Sequence, residues 1–203
     1  DRPVGRITYT CMLDERGGVR RDLIVVRLGG EVFWVLTGAA TGSRDLAWLR
    51  AGAPAGVEIT DITSGYCGLG LWGPAARQVL ERVCADDVSN DAFPYFTALP
   101  ITIGLVRVWA LRLSYAGELG WELYAPTESG LGLWDALWAA GRPLGMVPLG
   151  NGAFDSLRLE KGYRLWGTDV HAEYNLCEAG LGWTAAMGKG DFVGRVALEG
   201  VLA

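Results

Sequence analysis

The sequence predicts an α+β protein, mostly antiparallel sheet with flanking helices. Three observations carry that expectation. Strand-like segments follow one another through short turns, as hairpins do, instead of alternating with helices as crossover units would. Helical segments with recognisable starts and stops interrupt them. Half of the 203 residues are apolar and a fifth are charged, enough apolar chain to fill a core without disulfide staples.

Arg6 to Leu13 alternates, Asp14-Glu15-Arg16-Gly17-Gly18 is a turn, and Val19 to Leu28 is a long β-branched run. Gly29-Gly30 turns again and Glu31 to Thr37 returns, giving a three-stranded meander. Ser43 is placed to cap a helix through Arg50, closed by Gly52 and Pro54. Val57 to Thr63 reads as a strand, and Pro74 opens a helix with Ala76, Val79, Leu80 and Val83 on one face. Ile101 to Tyr115 reads as one long strand, Ala116 to Gly120 as its turn and Trp121 to Ala125 as the return. Thr127 is then expected to cap a helix carrying Leu131, Trp134, Leu137 and Trp138, ended by Gly141 and Pro143. Asn151 to Lys161 is a further helix. Asp191 to Leu198 enters another element that residues 199–203 leave unfinished, so the chain reads as a fragment of something longer.

A formal charge of −5 argues against a nucleic-acid partner, whose binding face would be basic. The longest apolar runs, such as Leu23-Ile24-Val25-Val26, fall far short of the roughly 20 residues of a membrane span. No signal-peptide pattern follows Asp1-Arg2-Pro3. Cys11, Cys67, Cys84 and Cys177 stand far apart with a single His in the chain. That spacing offers neither a disulfide framework nor a zinc site, and points to reduced thiols in the cytoplasm with no metal. Sixteen Arg against two Lys fit a GC-rich genome better than a phosphate-binding design. The nine Trp either fill the core or wall a pocket for a flat ring.

Gly68-Leu69-Gly70-Leu71-Trp72-Gly73 matches a dinucleotide fingerprint letter for letter. The ribose-binding acid expected about 20 residues on is missing, and Pro74 follows directly, so the run reads as a tight turn that binds no dinucleotide. His171 lies in a loop-like stretch beside Asp169 and Glu173, a solvated placement. Asp22 shares a strand face with Arg20, Ile24, Val26 and Leu28. A carboxylate in an apolar stripe needs a partner, Arg6 or Arg21, or a task of its own. In Arg112-Leu113-Ser114-Tyr115-Ala116-Gly117-Glu118-Leu119-Gly120-Trp121-Glu122, the glycines allow a sharp reversal. Glu122 lies on the face opposite Trp121 and Leu123. It is either an exposed hairpin acid or a two-point acceptor for a ring with adjacent N–H and NH2 donors, such as a pterin. Asp155, Arg158, Glu160 and Lys161 on the following helix equally fit a surface charge pattern.

Together these segments resemble one family along nearly the whole chain, the folate-binding aminomethyltransferases of the glycine-cleavage T-protein type. The likeness is greatest to the folate-binding half of dimethylglycine and sarcosine dehydrogenases. It rests on Arg2-Pro3-Val4-Gly5 with Ile7-Thr8-Tyr9-Thr10, Gly17-Gly18-Val19-Arg20-Arg21-Asp22-Leu23, and Leu71-Trp72-Gly73-Pro74-Ala75-Ala76-Arg77. It continues through Ser114 to Glu122, Ser156-Leu157-Arg158-Leu159-Glu160-Lys161-Gly162-Tyr163-Arg164, and Glu178-Ala179-Gly180-Leu181-Gly182. The resemblance implies that residues 1–203 are a T-protein-like folate-binding domain, incomplete at both ends. It implies tetrahydrofolate as cofactor, Asp22 as the essential acid, and Glu122, with Tyr115, gripping the pterin. Arg158 would bind or brace the folate site. Arg21 and Phe154 stand where T-proteins commonly carry Asp and Arg, which favours the amine-dehydrogenase branch over a lipoyl-carrier substrate.

The implied chemistry moves a one-carbon unit from an N-methyl amine or its iminium to folate, giving 5,10-methylenetetrahydrofolate. FAD would belong to a flavin domain outside this chain. Two rival readings are a folate-binding module without transfer chemistry and a folate-dependent O- or S-demethylase. The iron–sulfur maintenance relatives of this fold carry a Cys-bearing lysine–glycine motif, whereas Gly188-Lys189-Gly190-Asp191-Phe192 has no Cys.

Overall fold

The computed structural model describes residues 2–202; Asp1 and Ala203, the two ends of the expected fragment, lie outside the described residues. The chain is α+β, with a three-stranded sheet of order β1-β2-β3 and a four-stranded sheet of order β4-β7-β6-β5. It divides into two compact units: Asp1–Ile7 with Thr60–Tyr163, and Thr8–Ile59 with Arg164–Ala203.

In the second of these units the expected meander forms as β1 (Ile7–Leu13), β2 (Val19–Arg27) and β3 (Phe33–Leu36). The first turn closes with Asp14 N–H on Gly18 O and with Asp14 Oδ1 accepting from the Arg16 and Gly18 amides. Strands β2 and β3 run antiparallel in the register Val25↔Val35. Helix α1 (Gly42–Gly52) starts one residue before the expected cap. Thr41 precedes it, and its hydroxyl bonds Asp45 Oδ2 at 2.8 Å and Gly38 O at 3.2 Å. The core joins Leu13 and Val19 to Val170, Leu176, Ala179, Leu181 and Leu198, the last from α5 (Arg195–Leu202).

The other unit carries the second sheet: β4 (Tyr66–Trp72), β5 (Ala98–Ile103), β6 (Val106–Leu111) and β7 (Gly120–Pro126). One sheet face packs on α2 (Ala76–Glu81) and α3 (Gly130–Gly141). Leu71, Trp121, Leu123, Ala125, Val108, Ala110, Ile101 and Ile103 meet Ala76, Val79, Leu80, Leu133 and Leu137 there. Trp121 is fully buried, edge-on to Phe93 with ring centroids 6.0 Å apart. Helix α4 (Asn151–Glu160) follows as expected.

Four expectations are corrected. Residues 57–62 form no strand: the Arg50 guanidinium takes the Ile59 carbonyl, and Asp61 Oδ1 accepts from the Thr63 amide in a turn. The glycine-rich run is no tight turn: its first five residues belong to β4, an edge strand antiparallel to β7. The expected strand from Ile101 to Tyr115 is broken by a two-residue hairpin at Gly104-Leu105. Gly104 has φ 58 and Leu105 is fully exposed, the pattern of a II′ turn with glycine first. Helix α3 buries Leu133 and Leu137 and leaves Leu131 and Trp134 exposed, because the sheet lies one step round the helix from the expected face.

Candidate functional site

Glu122 lies on the β7 face turned away from α2 and α3. Strand alternation fixes this, since Trp121 and Leu123 fill the core. Its cross-strand row reads Gly70, Glu122, Leu111, Ala98, so apolar backbone and side chains flank the carboxylate. Burial therefore pushes its acid up from the ordinary carboxylate value, and a hydrogen bond from Tyr124 offsets part of the rise. Tyr124 Oη donates to Oε2 at 2.7 Å. Among the described residues nothing donates to Oε1. Tyr124's own hydroxyl is pushed up by burial and by the carboxylate it serves.

The glycines of β4 shape this face. A Cβ on Gly70 would lie 2.5 Å from Trp72 Cη2, and one on Gly68 would lie 3.0 Å from Tyr124 Cε1. A side chain on Gly120 would collide with Trp72 as well. Small residues in the strands thus let two aromatic rings lie flat beside Glu122. Trp72 stacks on Phe154 at 5.2 Å, Phe154 meets Tyr115 at 5.4 Å, and Tyr115 stacks on Tyr163 at 5.7 Å. Tyr115 is therefore one member of a four-ring row. Arg158 is 3% exposed and held by its neighbours, with Nε on Asp155 Oδ1 at 2.7 Å and Nη1 on Tyr163 O at 3.0 Å.

Asp22 belongs to the other unit. Its side chain is 24% exposed, so the strand face does not enclose it. Tyr9 Oη donates to Oδ2 at 3.1 Å, and Tyr9 stacks on Trp183 with centroids 5.6 Å apart. Arg21 Nε is 3.9 Å from Oδ1 and 3.6 Å from Asp45 Oδ2. Of the two arginines considered as partner, Arg21 is the one in range; Arg6 instead donates to Tyr95 O. Gly38 makes room for the Arg21 guanidinium, which would collide with any Cβ there. Cys11 lies near enough to Asp22 to feel its charge. Burial first, and that charge in addition, push the thiol up to about 12, which makes it inert.

His171 sits in a loop, its Nδ1 3.7 Å from Glu173. No group of three or more potential metal ligands occurs among the described residues. No helix among them is long and apolar enough to cross a membrane. Sequence reasoning missed Tyr9, Tyr124, Trp72 and Phe154 as neighbours of the candidate acids. Alternation along β1 and β7 would have given the two tyrosines; the Trp72–Phe154 stack has no local signal.

The residues present fit a pterin. Glu122 offers a half-buried acceptor with one open oxygen, beside the ring row of Trp72, Phe154 and Tyr115. A flat heterocycle with adjacent N–H donors would meet that oxygen and stack on those rings.

Residues 1–189 match the family described as the GCVT N-terminal domain. The chain is 37% identical over 194 residues to an aminomethyltransferase of Halothermothrix orenii, covering 96% of this chain and 54% of that protein. It is 38% identical over 200 residues to the mitochondrial dimethylglycine dehydrogenase of Mus musculus, covering 97% of this chain and 23% of that protein. The crystal structure of the glycine cleavage system aminomethyltransferase T from Bartonella henselae superposes with a TM-score of 0.84 at 28% identity. That match covers 98% of this chain and 54% of the other. The chain therefore spans about half the length of these aminomethyltransferases and about a quarter of the dehydrogenase.

Proposed function

The chain belongs to the GCVT N-terminal domain family, and from that premise we propose that it is the folate-binding part of an enzyme transferring one-carbon units. The donor is the iminium left when a flavin outside this chain takes two electrons from an N-methyl amine; folate attacks its carbon, the demethylated amine leaves, and the product is 5,10-methylenetetrahydrofolate. The observation that carries this reading is Glu122: a half-buried carboxylate with one oxygen open, on a glycine-cleared face beside stacked aromatic rings. Relatives named as aminomethyltransferase and as dimethylglycine dehydrogenase support the transfer chemistry.

Tetrahydrofolate, when bound, supplies the nucleophilic nitrogens that accept the carbon. Glu122 accepts hydrogen bonds from the pterin's adjacent donors, and Tyr124 keeps its carboxylate fixed. Tyr115 belongs to the row of rings against which a flat ligand stacks. Arg158 braces that row by tying α4 to the Tyr163 carbonyl, a role that its burial supports. Asp22 stabilises the cationic one-carbon donor, because a preorganised negative charge lowers the energy of developing positive charge. Tyr9 holds that carboxylate in place.

The test separates the two acids. Asp22→Asn in the complete gene product should leave folding and folate affinity nearly unchanged while transfer falls by about 10²–10⁴-fold, the span of such groups. Glu122→Gln should instead weaken folate binding by about 2–3 kcal/mol, since an amide donor would face the pterin's donors. Unchanged transfer in Asp22→Asn would make that residue structural and end the assignment.

A further inference from the structure

We propose that Arg20 and Arg44 form a carboxylate-anchoring cleft in the unit that carries Asp22. The cleft has a volume of about 470 Å³ and is lined by Arg20, Arg44, Trp166, His171, Ala172 and Glu173. That space admits a small carboxylate or the acidic end of a longer ligand.

Rings hold both guanidinium groups in place, among the described residues Arg20 with no acid beside it and Arg44 with one. Arg20 lies over the Trp48 ring at 3.9 Å, and no carboxylate is within ion-pair distance of it among the described residues. Arg44 lies over Trp166 at 4.6 Å. Its one acidic contact is Nη2 to Asp45 Oδ1 at 3.4 Å. Asp45 is already engaged by Arg21 at 3.6 Å and by Thr41 Oγ1 at 2.8 Å, so its charge is divided. Stacking fixes the plane of a guanidinium while leaving its edge N–H groups free, the geometry that grips a carboxylate by two parallel bonds. The acid in the lining, Glu173, has a side chain 90% exposed and lies 3.7 Å from His171. It is too solvated to neutralise two arginines.

Arg20 stands two residues before Asp22 on β2, about 7 Å along one strand face. A cation beside Asp22 whose own molecule bears a carboxylate would present it on the strand face from which Arg20 projects. That deepens the proposed function and rests on it: the ligand carries a carboxylate, supplied by an amino-acid donor of the N-methylglycine type or by the glutamyl end of folate.

The test uses the whole chain and tryptophan fluorescence, since Trp48 and Trp166 stack on the two arginines. N-methylglycine and tetrahydrofolate are titrated against their carboxylate-free counterparts, dimethylamine and 6-methyltetrahydropterin. Arg20→Gln and Arg44→Gln should each weaken at least one carboxylate ligand tenfold or more, with Arg20→Lys losing less and all melting temperatures preserved. Loss confined to N-methylglycine assigns the cleft to the donor; loss confined to tetrahydrofolate assigns it to the glutamyl end. If both affinities survive in Arg20→Gln and Arg44→Gln, or if neither ligand binds the native chain, the cleft proposal is overturned. Arginine-dependent binding of N-methylglycine with no binding of tetrahydrofolate keeps the cleft and removes the folate reading.

Discussion

Glu122 is the residue whose surroundings set the most definite expectation. Burial lifts its acid above the ordinary value, so the folded chain keeps a proton that the unfolded chain releases earlier. Stability therefore falls as pH climbs from the unfolded value near 4.3 through the raised folded one. Glu122→Gln has no such proton, so its melting temperature relative to the native chain should rise as pH climbs above about 4. Parallel melting curves across that range would mean that the carboxylate is solvated. Folate affinity should move the opposite way, because only the ionised form accepts two hydrogen bonds. At Asp22 the partner is a neighbouring arginine and a tyrosine from the next strand, and Tyr9→Phe should leave stability within about 1 kcal/mol. A calorimetric loss well beyond that would assign Tyr9 to the core.

Strands owe more to distant rings than to their own letters. The meander and the β7 return were legible, because β-branched runs bounded by glycine turns state their period directly. Strand β4 was not, since Gly68 and Gly70 mark space for Tyr124 and Trp72, and nothing local announces those rings. Gly70→Val should accordingly displace Trp72 and cost about 1–3 kcal/mol, the range of overpacking, read as a lowered melting point and changed indole fluorescence. The Gly104-Leu105 hairpin was hidden inside one apolar run, where a single glycine is weak evidence of reversal. Gly104→Val should cost about 1–2 kcal/mol through its positive φ alone. The face of Glu122 could be read from alternation. The cleft of Arg20 and Arg44 could not, as Trp166 and His171 come from the far end of the sequence.

Each unit has its own core, and Trp121 is the largest fully buried side chain. Trp121→Ala should cost about 3–5 kcal/mol, the loss expected for a fully buried aromatic. Amide exchange should rise first across 60–163; a uniform rise over the whole chain would show one cooperative block. The order of the chain adds a consequence of another kind. The unit with the meander is assembled from two stretches, one ending at Ile59 and the other resuming at Arg164, with most of the other unit lying between them in the chain. While that intervening stretch is unfolded, bringing the two stretches together means closing a floppy loop of about a hundred residues, an entropic toll of about 4 kcal/mol. Once it folds, its two ends are fixed and most of that toll disappears. Folding therefore has a preferred sequence of events, middle before flanks. A lesion at Trp121 should slow the docking of Leu198 on Leu13 even though Trp121 belongs to the other core.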